Sequence, residues 1–284
     1  MLRLLTLTAL TMMAFAANSV LNRMALADGS AGPAAFAALR LAAGAVTLGV
    51  LLAARGALRP AMRPSPQRWK GMIYLTLYIL AFSFAYITLE AGAGALILFG
   101  VVQITMFAAA LYSGVSVPAQ RWIGAALALL GLAILLWPSG GAPDLFGAAL
   151  MAASAVGWGL YSILGRGAKD PLAETGGNFL WALPVGLAVF AIWPDQMSAR
   201  GALLAILSGA VTSGLGYALW YAILPRLQTT VAAVAQLSVP VIAVAGGWLL
   251  LGEPVGWRFV GAATLVLGGI LVALISPAAL AGRK

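Results

Sequence analysis

The side chains that could do chemistry in this chain are polar and aromatic groups set within long apolar runs. The chain contains no Cys and no His, so thiol chemistry and His-based metal sites are excluded. The candidates near the centres of their runs are Asn18, Tyr78, Phe82, Gln103, Trp158, Ser213, Tyr217 and Gln236. Amides, hydroxyls and indoles exchange hydrogen bonds, and aromatic rings stack. This set predicts an aromatic-walled, lightly polar cavity that binds a small molecule.

A structural role is the alternative for each of these side chains. Asn, Gln, Ser and Thr inside a membrane often bond to a neighbouring helix, a contact worth about 1 kcal/mol. Spacing favours the cavity, because Phe15 and Asn18 share one helix face and Tyr78 and Phe82 share another. Polar groups at membrane depth are costly and mark binding sites more often than surface positions do.

Arg40 is the charged residue with two open interpretations. It lies about 10 Å from the outer end of its predicted helix, at about 1.5 Å per residue. It could bind a substrate carboxylate. Alternatively it could be structural, either extending its charged end outward to the membrane surface or pairing with Glu90, which ends the third run on the same side. The acids lie only toward the ends of the runs, so no nucleophile–base pair or metal cluster supports an enzyme.

The elements that position these residues are membrane-spanning helices. The 284 residues are 63% hydrophobic and 8% charged, with a mean hydropathy of +1.02, whereas a soluble domain is about 25% charged. A helix that crosses a bilayer needs about 20 apolar residues. Ten such runs predict an all-α polytopic membrane protein with ten transmembrane helices, near residues 3–24, 33–54, 69–90, 94–112, 120–137, 144–164, 174–193, 201–224, 230–250 and 258–276.

The positive charges predict the orientation of these helices. With the N-terminus in the cytoplasm, four of the 16 Lys and Arg residues fall toward the outside and the rest fall inside. This asymmetry follows the positive-inside rule and places both termini in the cytoplasm. The four outside residues are Arg23, Arg40, Arg200 and Arg258.

The sequence contains an internal repeat. "AFAANSVLNRMA" at 14–25 recurs as "GWGLYSILGRGA" at 157–168, and "RWIGAALALLGLAILL" from Arg121 recurs from Arg258. The order predicts two five-helix repeats, 1–140 and 141–284, within a single membrane domain. Because five is odd, the second repeat is inverted, an arrangement characteristic of secondary transporters. The echo also predicts that the first helix is retained, although "ALAD" at 25–28 imitates a signal-peptide cleavage site.

These motifs resemble the ten-helix drug/metabolite transporters of the EamA type. The family's first-helix pattern is similar to Phe15-Ala-Ala-Asn18 followed by Arg23, and Arg40 in "FAALRLAAGAV" matches its basic residue in helix 2. The most specific match runs from Pro240 to Gly269. Thr105 stands where the family commonly has the counterpart of Pro240, so the resemblance does not extend to a bend in the fourth helix.

The resemblance implies an exporter of amino acids and related metabolites, such as the aromatic amino acid exporters, in the bacterial inner membrane. Because no carboxylate or imidazole is predicted at membrane depth, we expect a uniporter that works by alternating access. We expect a small-molecule substrate and membrane lipid as partners, a monomer, no nucleic-acid partner, no cofactor and no enzymatic activity. Export of drugs or lipid-like solutes, and a non-transporting membrane scaffold, are the alternatives.

Overall fold

The computed structural model describes residues 2–112, 118–137, 142–165, 167–227 and 235–274. Twelve helices lie in these ranges: α1 Leu2–Ala27, α2 Pro33–Ala54, α3 Leu58–Ala61, α4 Pro66–Ala85, α5 Ala91–Tyr112, α6 Ala119–Leu136, α7 Leu145–Gly165, α8 Pro171–Ile192, α9 Ala199–Ile206, α10 Gly216–Ile223, α11 Ser238–Leu251 and α12 Trp257–Leu274. A π-helix, Leu207–Leu215, joins α9 to α10 without a break, and a 3₁₀ turn, Leu224–Arg226, follows α10.

Local sequence signals account for where several helices begin. Ser65, Asp170 and Ser198 each precede a helix, and their side-chain oxygens accept a hydrogen bond from a backbone N–H of the first turn. Proline occupies the first helical position of α2, α4 and α8, where the missing N–H costs nothing. These caps stabilise helix ends that the apolar runs leave undefined.

Seven helices within the described ranges are long and apolar enough to cross a membrane, and α11 and α12 are shorter apolar helices. Large apolar side chains such as Val46, Val50 and Leu249 are exposed on their outer faces, as expected for a surface in contact with lipid. The protein is thus an all-α polytopic membrane protein, as its composition predicts.

The helices pack into a core and a flanking pair. α2 packs on α8, α4 on α7, and α1 on both α11 and the rod formed by α9, the π-helix and α10. α6 packs along α12 at one side. A Cβ on Gly124 would collide with the carbonyl oxygen of Gly269, so small residues at both positions allow these two backbones to approach closely.

Three of the ten predicted segments differ from the structure in form. The ninth run, predicted at 230–250, gives a helix, α11, that begins only at Ser238. The third run, predicted at 69–90, forms a helix only over Pro66–Ala85, because Arg23 from α1 binds the carbonyls of Tyr86 and Ile87 that would continue it. The eighth run, predicted as one helix, contains the nine-residue π-helix.

Several sequence positions fall outside the described residues. They include the repeat junction at 140/141, residues 230–234 of the ninth run, and Arg166, the repeat counterpart of Arg23. The division into two repeats therefore stays a prediction.

Candidate functional site

A buried arginine lies at the centre of the polar residues of the core. Arg40 on α2 is 0% exposed. Around it stand Tyr78 and Phe82 from α4, Asn18 from α1, Ser213 from the π-helix and Tyr217 from α10, and we call these six residues the Arg40 cluster. Arg40 thus contacts α4 and the continuous rod of the π-helix and α10, and α1 joins the cluster through the bond between Ser213 and Asn18.

The guanidinium of Arg40 is held by hydroxyls and aromatic faces. Its Nε donates to Ser213 Oγ at 3.0 Å, and its Nη2 lies 3.0 Å from Tyr217 Oη and 3.3 Å from Tyr78 Oη. Its Cζ lies 5.0 Å from the centre of the Phe82 ring, close enough for a cation–π contact. Among the described residues Arg40 makes no ion pair, with Glu90 or with any other carboxylate.

Asn18 extends the cluster toward the π-helix. Its Oδ1 accepts hydrogen bonds from Ser208 at 2.9 Å, from Thr212 at 2.6 Å and from Ser213 at 3.2 Å. Its Nδ2 is buried and has no partner in the described structure, and the same holds for Nη1 of Arg40. Buried donors are normally satisfied. Three other buried polar atoms of the described residues also have no partner, Nε of Arg68 and the hydroxyls of Thr76 and Thr175, but only the Arg40 cluster places two such donors on side chains joined through one hydroxyl.

A layer of aromatic rings adjoins the Arg40 cluster. Phe15 lies edge-on to Trp158, Tyr217 and Trp220 at 5.6 to 5.7 Å between ring centres. Trp158 lies 4.8 Å from Tyr217 and 4.9 Å from Tyr78. We call Phe15, Trp158, Tyr217 and Trp220 the aromatic layer.

A cavity of about 510 Å³ lies on the other side of this layer. Trp220 and Tyr221 line its inner part, and it extends to the end of the molecule where α6 and α8 begin. Gln103 and Gln236, two of the predicted site residues, line this cavity, together with Arg121. Asn18, Tyr78, Phe82, Trp158, Ser213 and Tyr217 are buried instead. The predicted residues therefore form two groups.

A second hollow, of about 580 Å³, lies between α4 and α8 near the opposite end of the molecule. It is more open, and its walls are apolar apart from Asp195, with Leu80, Phe84 and Ile192 among them. It contains none of the predicted site residues, and its open, apolar form suits a lipid-facing groove.

The end opposite the 510 Å³ cavity is closed by carboxylates that bind helix starts. Glu253 pairs with Arg23 at 3.1 Å and accepts from the backbone N–H of Ala91 at 2.8 Å. Asp195 accepts from the N–H groups of Ala34 and Ala35, each at 2.8 Å. Since Glu253 and Asp195 come from the second half of the chain and their partners from the first, these contacts join the two halves.

Glu90 lies at this closed end, between α4 and α5. Its pKa is raised, first by partial burial and then by the negative charge of Glu253, while Arg23 acts in the opposite direction. Its carboxyl therefore responds to the charge state of the closing contacts and not to Arg40.

Sequence reasoning missed Ser208 and Thr212, which bind Asn18. The sequence contains a pattern that could have identified them. Ser208, Thr212 and Ser213 are hydroxyl residues at four- and five-residue spacing within one apolar run. Phe15 was placed on the correct helix face, but its role as the centre of the aromatic layer depends on rings from two other helices, α7 and α10.

Comparison with known proteins supplies the context for this geometry. Residues 145–275 match the model of the EamA-like transporter family. The chain is similar to an uncharacterized protein of Pseudomonas aeruginosa, with 48% identity over 284 residues, 99% of this chain and 98% of that one. An uncharacterized transporter of Archaeoglobus fulgidus is 23% identical over 211 residues, 71% of this chain and 74% of that one. A protein of known crystal structure shares the fold, with a TM-score of 0.68 and 21% identity over 97% of this chain and 99% of that one.

Proposed function

The chain belongs to the EamA-like transporter family and is a membrane transporter, and from this premise we propose that it exports small zwitterionic metabolites, most of all amino acids, by alternating access. We also propose that the carrier lies in the bacterial inner membrane with both termini in the cytoplasm. We propose that it works as a monomer.

The observation that carries the proposal is the asymmetry between the two ends of the molecule. One end holds a cavity of about 510 Å³ that reaches Trp220. At the other end contacts of Glu253 and Asp195 join the two halves, and the hollow between α4 and α8 beside Asp195 reaches none of the four residues of the aromatic layer. A carrier open to one side only has this form. With the proposed orientation, the open end faces the cytoplasm, from which an exported substrate enters.

The packing of the helices supports alternating access. α1 contacts α9 and α10, and α4 contacts α7; in the proposed repeat these two pairings correspond, since α7 repeats α1 and the α9–α10 rod repeats α4. The pairs α5 with α7 and α11 with α1 correspond in the same way. A carrier built like this can exchange the arrangements of its halves, which opens the other end.

We propose that the protein is a uniporter, so that transport of the substrate is not coupled to the movement of protons. All seven acids of the chain lie in described loops or at helix ends, and the chain has no His. A side chain that picks up and releases a proton within the membrane is usually Asp, Glu or His. The substrate gradient then sets the direction of transport.

Counterflow in liposomes tests this proposal. Purified protein is reconstituted with unlabelled amino acids inside, and entry of the same radiolabelled amino acids is followed with and without a pH difference. We expect accumulation above protein-free liposomes at equal pH, and little change when a pH gradient is imposed. Absence of counterflow for every amino acid would reject the substrate class, and stimulation of several-fold by a proton gradient would reject uniport.

Export of drugs or lipid-like solutes is the second candidate, favoured by one observation. The cavity wall is mainly apolar, with Met106, Phe107, Trp220 and Ile270 among its residues. Stimulated efflux of a lipophilic cation, with no counterflow of amino acids, would select this alternative.

A further inference from the structure

We propose that Nη1 of Arg40 and Nδ2 of Asn18 together bind one carboxylate group of the substrate, so that the site requires a carboxylate and not an amino group. The inference rests on the proposed function for the statement that the bound molecule is transported. The carboxylate itself is inferred from the donors of the Arg40 cluster.

The two donors are buried and unused. Nη1 of Arg40 and Nδ2 of Asn18 have no hydrogen-bond partner in the described structure, although both residues are almost fully buried. A buried donor without an acceptor is destabilising, and more so when the group is charged. A ligand that supplies acceptor oxygens removes this cost at both atoms.

The same cluster fixes the two donors relative to each other. Ser213 Oγ accepts from Arg40 Nε at 3.0 Å and donates to Asn18 Oδ1 at 3.2 Å. Ser208 and Thr212 also donate to Asn18 Oδ1, which orients the amide with Nδ2 as its free group. Both donors thus belong to side chains that are joined through the hydroxyl of Ser213.

Charge selects the chemistry of the ligand. Arg68, another buried arginine, lies 3.3 Å from the Glu174 carboxylate and also donates to the amide oxygen of Asn178 at 2.9 Å. Within the described part of the chain, the guanidinium of Arg40 contacts hydroxyls and aromatic rings and no carboxylate. An isolated buried charge is costly unless paired, and a carboxylate pairs with a guanidinium through strong charge-assisted hydrogen bonds.

The charge of the Arg40 cluster predicts different affinities for a monocarboxylate and for an amino acid zwitterion. A monocarboxylate and Arg40 form a neutral complex, whereas a zwitterion adds an ammonium group that no carboxylate in the cluster can pair. We therefore expect the acid without its amino group to bind more tightly than the matching amino acid.

Four ligands with the same phenyl side chain separate these possibilities in the wild-type protein. The thermal unfolding midpoint of the protein in detergent is measured with 3-phenylpropionate, L-phenylalanine, L-phenylalaninamide and 2-phenylethylamine. We expect stabilisation by the first two, with a Kd several-fold lower for 3-phenylpropionate, and none by the amide or the amine. Equal stabilisation by the amide or the amine, or none by either carboxylate, would overturn the proposal.

Asn18→Asp provides the sharpest variant. It keeps the size and the acceptor oxygen of the side chain, but replaces the free donor by a negative charge beside Arg40. We expect this protein to fold and to lose at least tenfold in affinity for 3-phenylpropionate, while Arg55→Gln, at an exposed arginine, binds as the wild type does. Unchanged binding by Asn18→Asp would contradict the inference. Carboxylate binding without amino acid counterflow would instead reject the proposed substrate class and leave the site intact.

Discussion

At the residue scale, the hydroxyls around Arg40 hold an uncompensated charge inside the membrane. Tyr217 Oη accepts from Arg40 Nη2 and lies 2.9 Å from Tyr78 Oη. Each tyrosine contributes a ring to the packing as well as a hydroxyl to the network, so the two contributions can be separated by removing the hydroxyl alone.

Tyr217→Phe tests the hydroxyl. The change keeps the ring in the aromatic layer but removes one acceptor of the guanidinium, and we expect a loss of about 1–2 kcal/mol in stability and slower transport. Thermal unfolding in detergent and liposome counterflow measure the two effects. Tyr112→Phe is the matched control, since Tyr112 is 97% exposed, and an equal loss in both variants would show that the network has no special role.

Glu90 gives the closed end a dependence on pH. Its pKa is raised above the ordinary 4.5 by partial burial and by Glu253, so the folded, closed state favours the protonated carboxyl. Stability from this residue is therefore greatest below the ordinary pKa and falls as the pH rises through the raised value. We expect Glu90→Gln to unfold at a higher temperature than the wild type at neutral pH, with the difference vanishing at acidic pH. Glu90→Asp keeps a carboxyl and should retain the pH dependence; a pH-independent difference would contradict this account.

At the element scale, the π-helix brings the backbone of the eighth run against α2. A Cβ on Gly209 would collide with the carbonyl oxygen of Arg40, so the two backbones meet beside the cluster. A π-helix has hydrogen bonds from residue i to residue i+5 and so holds more residues per turn than an α-helix. Such segments within α-helices often lie at functional sites.

Gly209→Ala tests the importance of this close approach. Because the added methyl meets backbone, we expect a loss of about 1–3 kcal/mol from overpacking and a strong loss of counterflow. Gly261→Ala in α12 is the control, since nothing lies within 4 Å of its added Cβ, and it should be neutral or slightly stabilising. A fully active Gly209→Ala would mean that the π-helix adjusts freely.

Two ion pairs between the halves differ in their expected importance for the closed end. Arg23 and Glu253 are mostly buried, and Glu253 also binds the start of α5, whereas Arg200 and Asp28 are largely exposed. Exposed pairs contribute little. Glu253→Gln should therefore open this end more often than Asp28→Asn does.

Thiol labelling measures that opening, because the native chain contains no Cys. A single cysteine replaces Ser83, which is buried beside Asn22, and an impermeant reagent is applied. We expect labelling several-fold faster with Glu253→Gln than with the unaltered pair, and little change with Asp28→Asn. Equal rates in all three proteins would assign the closure to other contacts.

At the scale of the whole molecule, orientation in the membrane decides whether the cavity faces the cytoplasm. Cysteines at Ser65 and Lys284 should be protected from an impermeant thiol reagent in intact cells, and one at Ser139 should react; Ser139 and Lys284 lie outside the described residues. The reason is the positive-inside asymmetry. Labelling at Ser65 from outside would reverse the proposed direction of the open end.

The sequence alone determined the class of the molecule and the positions of most helices. Apolar runs about 20 residues long fix helix length, because backbone groups in lipid must bond within the helix. Caps such as Ser65 and Asp170 are local signals that bond within three residues. The family was also recognisable, because its motifs are short and contiguous.

Only the tertiary structure decided how the polar residues are grouped. Arg40 binds Ser213 and Tyr217, which are 173 and 177 residues away, and its partners could not be inferred from helix periodicity. Gln103 and Gln236 proved to line a cavity, while Asn18, equally central in its run, bonds within a closed cluster. Periodicity fixes which residues share a helix face, but the neighbour that covers each face depends on packing between distant helices. For the same reason α4 ends at Ala85, where an arginine from α1 takes the carbonyls that would have continued it.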